Sequence, residues 1–291
     1  MWIVTKKRTV PVTTTIVGVS ERPARKVERT AVSEESNAGW IAPQSVLASM
    51  PRALAAQELV NRIVAAIEPS HRRAIGVSLH DRITGERFSY NGRFRTQTGS
   101  LVKPMILIAL MRAQRERGTG LTPSQRRLAD GMIRVSDNPA AATLLRKAGG
   151  RKALDRLAAD LGMARTESSM SSWGRTLTTA PDQARFIDAL VDGPDELGVS
   201  DSDREYLLDL MARVIPAQKW GVGAVPSGVE TIVKNGWVPL SPGGWRVNTV
   251  GHVKGWERDY VLAILSSSNS SLEAGVGRVN AVSRTVFSAL G

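Results

Sequence analysis

Residues 100–118, SLVKPMILIALMRAQRERG, decide how the chain is read. The segment starts polar, is wholly apolar from Met105 to Met111, and then becomes amphipathic up to Gly118. That pattern predicts a helix over Leu101–Arg117, buried all round at first and half-exposed later. The apolar run is far short of the roughly 18 residues a spanning helix needs, so it belongs in a protein core.

Upstream, Ile75–His80 alternates apolar and polar residues, and Glu86–Tyr90 does so more loosely. Asp81–Gly85 reads as the turn of a hairpin between them. Before the hairpin, Leu54, Leu59, Val60, Ile63 and Ile67 share one side of a helix over Ala53–Ile67. Downstream come helices at Pro123–Arg134, Pro139–Lys147, Lys152–Leu161, Ala180–Val191 and Asp203–Val214, several stopped by glycine. After Pro216 the pattern changes to strands at Gly228–Lys234, Trp245–Val253 and Asp259–Ser266, and a helix over Leu272–Leu290 closes the chain. The order predicts an α+β fold: an antiparallel sheet of about five strands, built from both ends of the chain and packed with helices, with an all-helical insertion at about 100–215. Residues 1–50 read as a disordered tail or linker, and 51–291 as one domain.

Composition narrows the chemistry. The 291 residues include no cysteine and only three histidines. Disulfides, thiolate metal sites and a cysteine nucleophile are excluded, and His71, His80 and His252 are too scattered for a His-rich metal centre. With 39 Lys+Arg against 27 Asp+Glu, the formal net charge is +12. The basic and acidic residues are intermixed, which describes a solvated surface better than a nucleic-acid site, and no nucleic-acid recognition signature is present. No nucleotide fingerprint is present either, so no cofactor is implied. Lys6–Arg8 followed by Val10–Val19 superficially resembles a signal peptide, but Pro11 and Thr13–Thr15 interrupt the apolar part and no cleavage pattern follows.

Three short motifs could carry a reaction. Ser100 and Lys103 lie three apart, on one face at the start of the buried helix. There the serine sits among unpaired N–H groups, and a desolvated lysine can lose its proton and act as a base. About one Ser-x-x-Lys arises by chance in a chain of this length, so alone it reads as a capping serine and a surface lysine. Ser136-Asp137-Asn138, just before Pro139, is rarer, yet alone it reads as a helix cap. Lys234-Asn235-Gly236 ends a predicted strand, where glycine permits close backbone approach.

In this order the three motifs resemble those of the serine β-lactamase and penicillin-binding protein family, most closely class A β-lactamases. LTPSQRRLADGMIRVSDNPAAATLL (121–145) is similar to the segment carrying that family's Ser-Asp-Asn loop. WGRTLTTAPDQ (173–183) and GWRVNTVG (244–251) are similar to actinobacterial members. The resemblance covers roughly 52–291. It implies that Ser100 is the acylated nucleophile and Lys103 its base or proton relay. Ser136 would pass a proton to the leaving nitrogen, and Asn138 would position the substrate amide and Lys103. Lys234 would attract a substrate carboxylate and help keep Lys103 neutral. Asn235, Gly236 and Trp237 would contact substrate, and the N–H groups of Ser100 and Trp237 would form an oxyanion hole.

Two departures qualify the picture. Asn235 stands where the family carries a hydroxyl residue, which places carboxylate recognition in doubt. The segment Met163–Leu177, which matches the omega loop, is short. Its one carboxylate, Glu167, lacks the context of the family's water-activating glutamate, so that role is not carried onto it. The implied activity is a serine hydrolase acting on a β-lactam, amide or D-amino-acid peptide through an acyl-enzyme, with weak or absent β-lactamase turnover. The alternative is a cell-wall-binding module on the same fold. The expected partner is a small-molecule or cell-wall peptide substrate, with no nucleic acid, no metal and no cofactor. The expected form is a monomer without a transmembrane segment. The resemblance implies export or an envelope location, with the cytoplasm as the other option. The tryptophans other than Trp237, together with Asp137 and His252, read as structural.

Overall fold

A computed structural model describes residues 57–240 and 242–290. The expected tail, 1–50, lies outside the described residues. The main sheet contains β1 (Ile75–Asp81), β2 (Arg87–Tyr90), β5 (Glu230–Leu240), β6 (Gly244–Gly255) and β7 (Arg258–Asn269). Its order is β2-β1-β7-β6-β5, and every neighbouring pair is antiparallel. An early and a late segment of the described residues therefore meet at the β1–β7 pairing, with Ile75 opposite Ser266 and Asp81 opposite Tyr260.

Both faces of the sheet are covered, which explains why the centre of β7 reads as an unbroken apolar run rather than an alternation. Tyr260, Leu262 and Ile264 face one core, together with Leu59 and Ile63 of the helix seen over 57–65 (α1). Val279, Val282 and Val286 of α8 (Leu272–Ala289) complete that side. Val261, Ala263 and Leu265 face the opposite core, formed with the helical insertion. There α2 (Lys103–Glu116) runs through the middle, and every residue from Lys103 to Met111 is buried. Around it pack α3 (Pro123–Arg134), α4 (Asn138–Ala148), α5 (Arg151–Asp160), α6 (Ala180–Asp192) and α7 (Asp201–Ala212). Such a helix has no polar side to show, so its sequence cannot alternate.

Local signals set several boundaries. Thr122 caps α3 through a reciprocal capping box with Gln125, and Pro123 takes the first turn, where no N–H is needed. Gly149, left-handed, ends α4.

The structure differs from the sequence reading in two places that bear on the site. First, a small ribbon of β3 (Arg95–Gln97) and β4 (Leu177–Thr179) joins the start of the insertion to its middle. Three-residue strands leave too little periodicity to be read. Second, β5 does not end at Lys234-Asn235-Gly236 but continues to Leu240, paired with β6 throughout. Asn235-Gly236 looks like a stop, yet Gly236 sits mid-strand opposite Asn248 because another backbone crosses it.

Candidate active site

The site lies where the edge strand β5 meets the turn that leads into α2. Ser100 is half-buried in the 3-10 turn Gly99–Val102, and Lys103 is the first residue of α2. The turn and strand are pressed together through two glycines. A Cβ on Gly236 would lie 2.3 Å from Thr98 O, 2.5 Å from Leu101 N and 2.8 Å from Ser100 N. Gly99 is left-handed (φ +56°), and a Cβ there would lie 2.6 Å from Trp237 N. Only glycine fits on either side of this seam, which presses Gly236 against the backbone of Ser100 and Gly99 against that of Trp237.

Asn248 fastens the turn to the sheet: its Nδ2 donates to Gln97 O (2.9 Å) and Thr98 O (3.2 Å), and its Oδ1 accepts from Ser266 N (3.2 Å). The sequence reading did not single it out. An asparagine amid the valines of a central strand is the available signal, since a buried amide must find partners.

Lys103 is fully buried, and three acceptors surround its Nζ: Ser136 O at 2.5 Å, Ser136 Oγ at 3.0 Å and Asn138 Oδ1 at 2.8 Å. Ser136 can offer both of its oxygens because its backbone is left-handed (φ +64°), an uncommon state for a serine. Asp137 caps α4, accepting from Ala140 N at 2.6 Å, and so holds the loop between α3 and α4 in place. Lys234, also buried, reaches the same hydroxyl: its Nζ is 3.2 Å from Ser136 Oγ and 2.9 Å from Asn235 O. Lys103, Ser136, Asn138 and Lys234 therefore form one hydrogen-bonded cluster.

Among the described residues, no hydrogen bond joins Ser100 Oγ to Lys103 Nζ, because the lysine spends its donors on Ser136 and Asn138. Burial lowers the Lys103 pKa to about 8, with the Asp137 carboxylate acting in the opposite direction. Burial also pushes Lys234 well below its ordinary value, and the Lys103 charge adds to the effect. Two buried ammonium groups sharing one hydroxyl disfavour each other, so the cluster favours a form in which one amine is neutral.

Within the β-lactamase enzyme family, the family model matches residues 114–290, more than half of the chain. The chain belongs to the β-lactamase enzyme family. A Mycobacterium tuberculosis protein carrying the provisional name lipoprotein LppW is 28% identical over 223 residues, covering 73% of this chain and 69% of the relative. Among solved structures, a class A β-lactamase from Bacteroides cellulosilyticus superposes with a TM-score of 0.71 at 16% identity, covering 81% of this chain and 98% of that one. A Sphaerobacter thermophilus β-lactamase gives 0.66 at 22% identity, covering 80% and 97%. At these identities the likeness to solved structures is one of fold. Membership of the β-lactamase family makes the protein a serine hydrolase in kind.

Seen as a β-lactamase-family site, three positions are unusual. Asn235 is buried, and its Nδ2 donates to Gln218 O (2.7 Å) and Trp220 O (3.0 Å). Both amide hydrogens thus hold the 218–220 segment, and the side chain has no donor left for a substrate carboxylate. Glu167 pairs with Arg95 (2.8 Å) on the exposed side of its segment. No carboxylate among the described residues is hydrogen-bonded to Ser100, Lys103, Ser136 or Lys234. The segment brings an indole to the cluster instead. The Trp173 ring lies 5.0 Å from Lys103 Nζ, in the turn Trp173–Arg175, and a Cβ on Gly174 would come within 3.8 Å of Gly99 Cα. Sequence reading took Trp173 as packing, and nothing in its local pattern distinguishes it from a core tryptophan. The Trp237 ring lies 6.2 Å from that of Trp220, tilted by 49°, and Trp237 reaches the seam through its backbone. His252 is satisfied by Asp259 at 2.7 Å.

Proposed function

We propose that the protein is a serine acyl-transfer enzyme that forms an ester on Ser100 and hydrolyses it slowly. The observation that carries this reading is the convergence of Lys103, Ser136, Asn138 and Lys234 beside the Ser100 turn. In the reaction, Ser100 Oγ attacks the carbonyl carbon of a β-lactam, amide or D-amino-acid peptide, and its proton passes to neutral Lys103. The paired N–H groups of Ser100 and Trp237 stabilise the developing oxyanion, at about 3 kcal/mol for each such donor in well-studied hydrolases. The C–N bond breaks, the leaving nitrogen takes its proton through Ser136 Oγ, and the acyl group remains on Ser100. Asn138 holds Lys103 in line. Lys234 offers positive charge to an anionic substrate and disfavours a second charge on Lys103.

Release of the acyl group requires an activated water. With Glu167 turned to Arg95 and Trp173 over the lysine, no carboxylate among the described residues is hydrogen-bonded to the cluster to activate one, so the acyl-enzyme accumulates and β-lactamase turnover is weak or absent. The proposed form is a monomer. An envelope location follows the relative named as a lipoprotein. Incubation with a fluorescent penicillin followed by intact-mass spectrometry tests the reading. A one-to-one adduct that disappears in Ser100→Ala is expected. No adduct, combined with saturable peptidoglycan binding unchanged by Ser100→Ala, would instead make the protein a binding module.

A further inference from the structure

The end of the sheet reached by the β6–β7 hairpin carries a surface that the acylation site does not use. The hairpin turns through Trp256 and Glu257, both left-handed (φ +52° and +61°). Two-residue turns of this kind favour asparagine and glycine, because a side chain at positive φ is strained. Here the strained position holds a tryptophan that is 54% exposed. Strain kept in order to display a large apolar side chain points to a contact made by that side chain.

Through Phe287, Trp256 neighbours a cavity of about 580 Å³ beside α8. Its ring packs edge-on to Phe287 (6.2 Å), and Phe287 lines the cavity together with Trp220, Val225 and Pro226. The volume falls within the roughly 300–1,000 Å³ typical of small-ligand sites. Two exposed cations, Lys219 and Arg284, stand at its walls, and no carboxylate lines it. Lys254 is exposed on the hairpin beside Trp256, and Arg258 lies 4.2 Å over the Phe287 ring. Glu257 at the tip, with Glu230 and Asp259 opposite Lys254 on the neighbouring strands, supplies the opposing charge.

We propose that this face binds an anionic phospholipid surface: Trp256 enters the headgroup layer, Lys219, Arg284 and Lys254 meet lipid phosphates, and the cavity wall formed by Trp220, Val225, Pro226 and Phe287 receives part of an acyl chain. Tryptophan prefers that interface because its ring is apolar while its N–H remains wet. Clustered cations add attraction that salt screens. The face also gives part of the +12 net charge a partner.

Flotation of the full-length protein with vesicles tests the assignment independently of any acylation, using phosphatidylglycerol–phosphatidylcholine mixtures against pure phosphatidylcholine. Binding is expected to the anionic vesicles alone and to weaken with salt. Trp256→Ser and Lys219→Glu/Arg284→Glu should each lower it at least tenfold, with the thermal midpoint and penicillin labelling of Ser100 unchanged. Lys147→Glu/Lys152→Glu, the same charge change on the helical insertion, should leave most of it intact. Absence of binding to anionic vesicles, equal loss in the Lys147/Lys152 variant, or full binding by Trp256→Ser would overturn the proposal. Binding of soluble decanoate in the cavity without vesicle binding would also overturn it, in favour of a free small-molecule site.

Discussion

Lys103 and Lys234 meet on a single hydroxyl, with Ser136 Oγ 3.0 Å from one amine and 3.2 Å from the other. They arrive from opposite parts of the fold, one opening the central helix and one from the edge strand of the sheet. Both are buried and both have lowered pKa values, so a proton held by one is disfavoured by the other.

Acylation should follow the neutral form of Lys103. With a pKa of about 8, about a tenth of the lysine is neutral at pH 7. The rate of Ser100 labelling by a fluorescent penicillin should therefore rise roughly tenfold from pH 7 to a plateau above pH 9. A profile flat from pH 6 to 10 would remove Lys103 from the role of base.

The same shift should appear in stability. Between pH 8 and the ordinary lysine value of 10.5, the unfolded chain holds a proton that the folded chain has lost. Raising the pH through that window therefore favours the folded state. Denaturation midpoints measured at pH 8 and pH 10 should rise for the native protein, and the rise should be smaller in Lys103→Met.

Two glycines give opposite outcomes. Gly236→Ala places a methyl against Thr98 O and the Ser100 turn, and should cost about 1–3 kcal/mol along with labelling of Ser100. Gly277→Ala, in α8 with open space around it, should stabilise by about 0.5–1 kcal/mol and leave labelling intact. Thermal unfolding together with the labelling assay measures both.

Restoring the hydroxyl usual in the family should not restore its function. Asn235→Thr leaves Gln218 O and Trp220 O without their donor, at a cost of about 1–3 kcal/mol. Slow β-lactam turnover should remain slow. A gain in turnover would show that the threonine reaches the substrate carboxylate and that Asn235 is not held by the 218–220 segment.

The sequence by itself determined the order of the longer helices and of the main-sheet strands, the central buried helix and the three motifs, because each is written locally. Met105–Met111 has no polar face, Pro123 opens a helix, and alternation marks β1. Spacing also placed Ser100 and Lys103 on one side of a turn. Only the tertiary structure decided what those motifs touch. Lys103 turns to Ser136 and Asn138, 33 and 35 residues away, because a left-handed serine offers two oxygens there. Asn235 is a strut rather than a ligand because the 218–220 carbonyls lie behind it, and Gly236 is mid-strand because the Ser100 turn crosses it. Trp173 covers the lysine because β4 returns its segment alongside β3. A residue's type limits which bonds it can make, while partners distant in the chain decide which of them form, and those partners exist only once the sheet and the helical insertion have closed on each other.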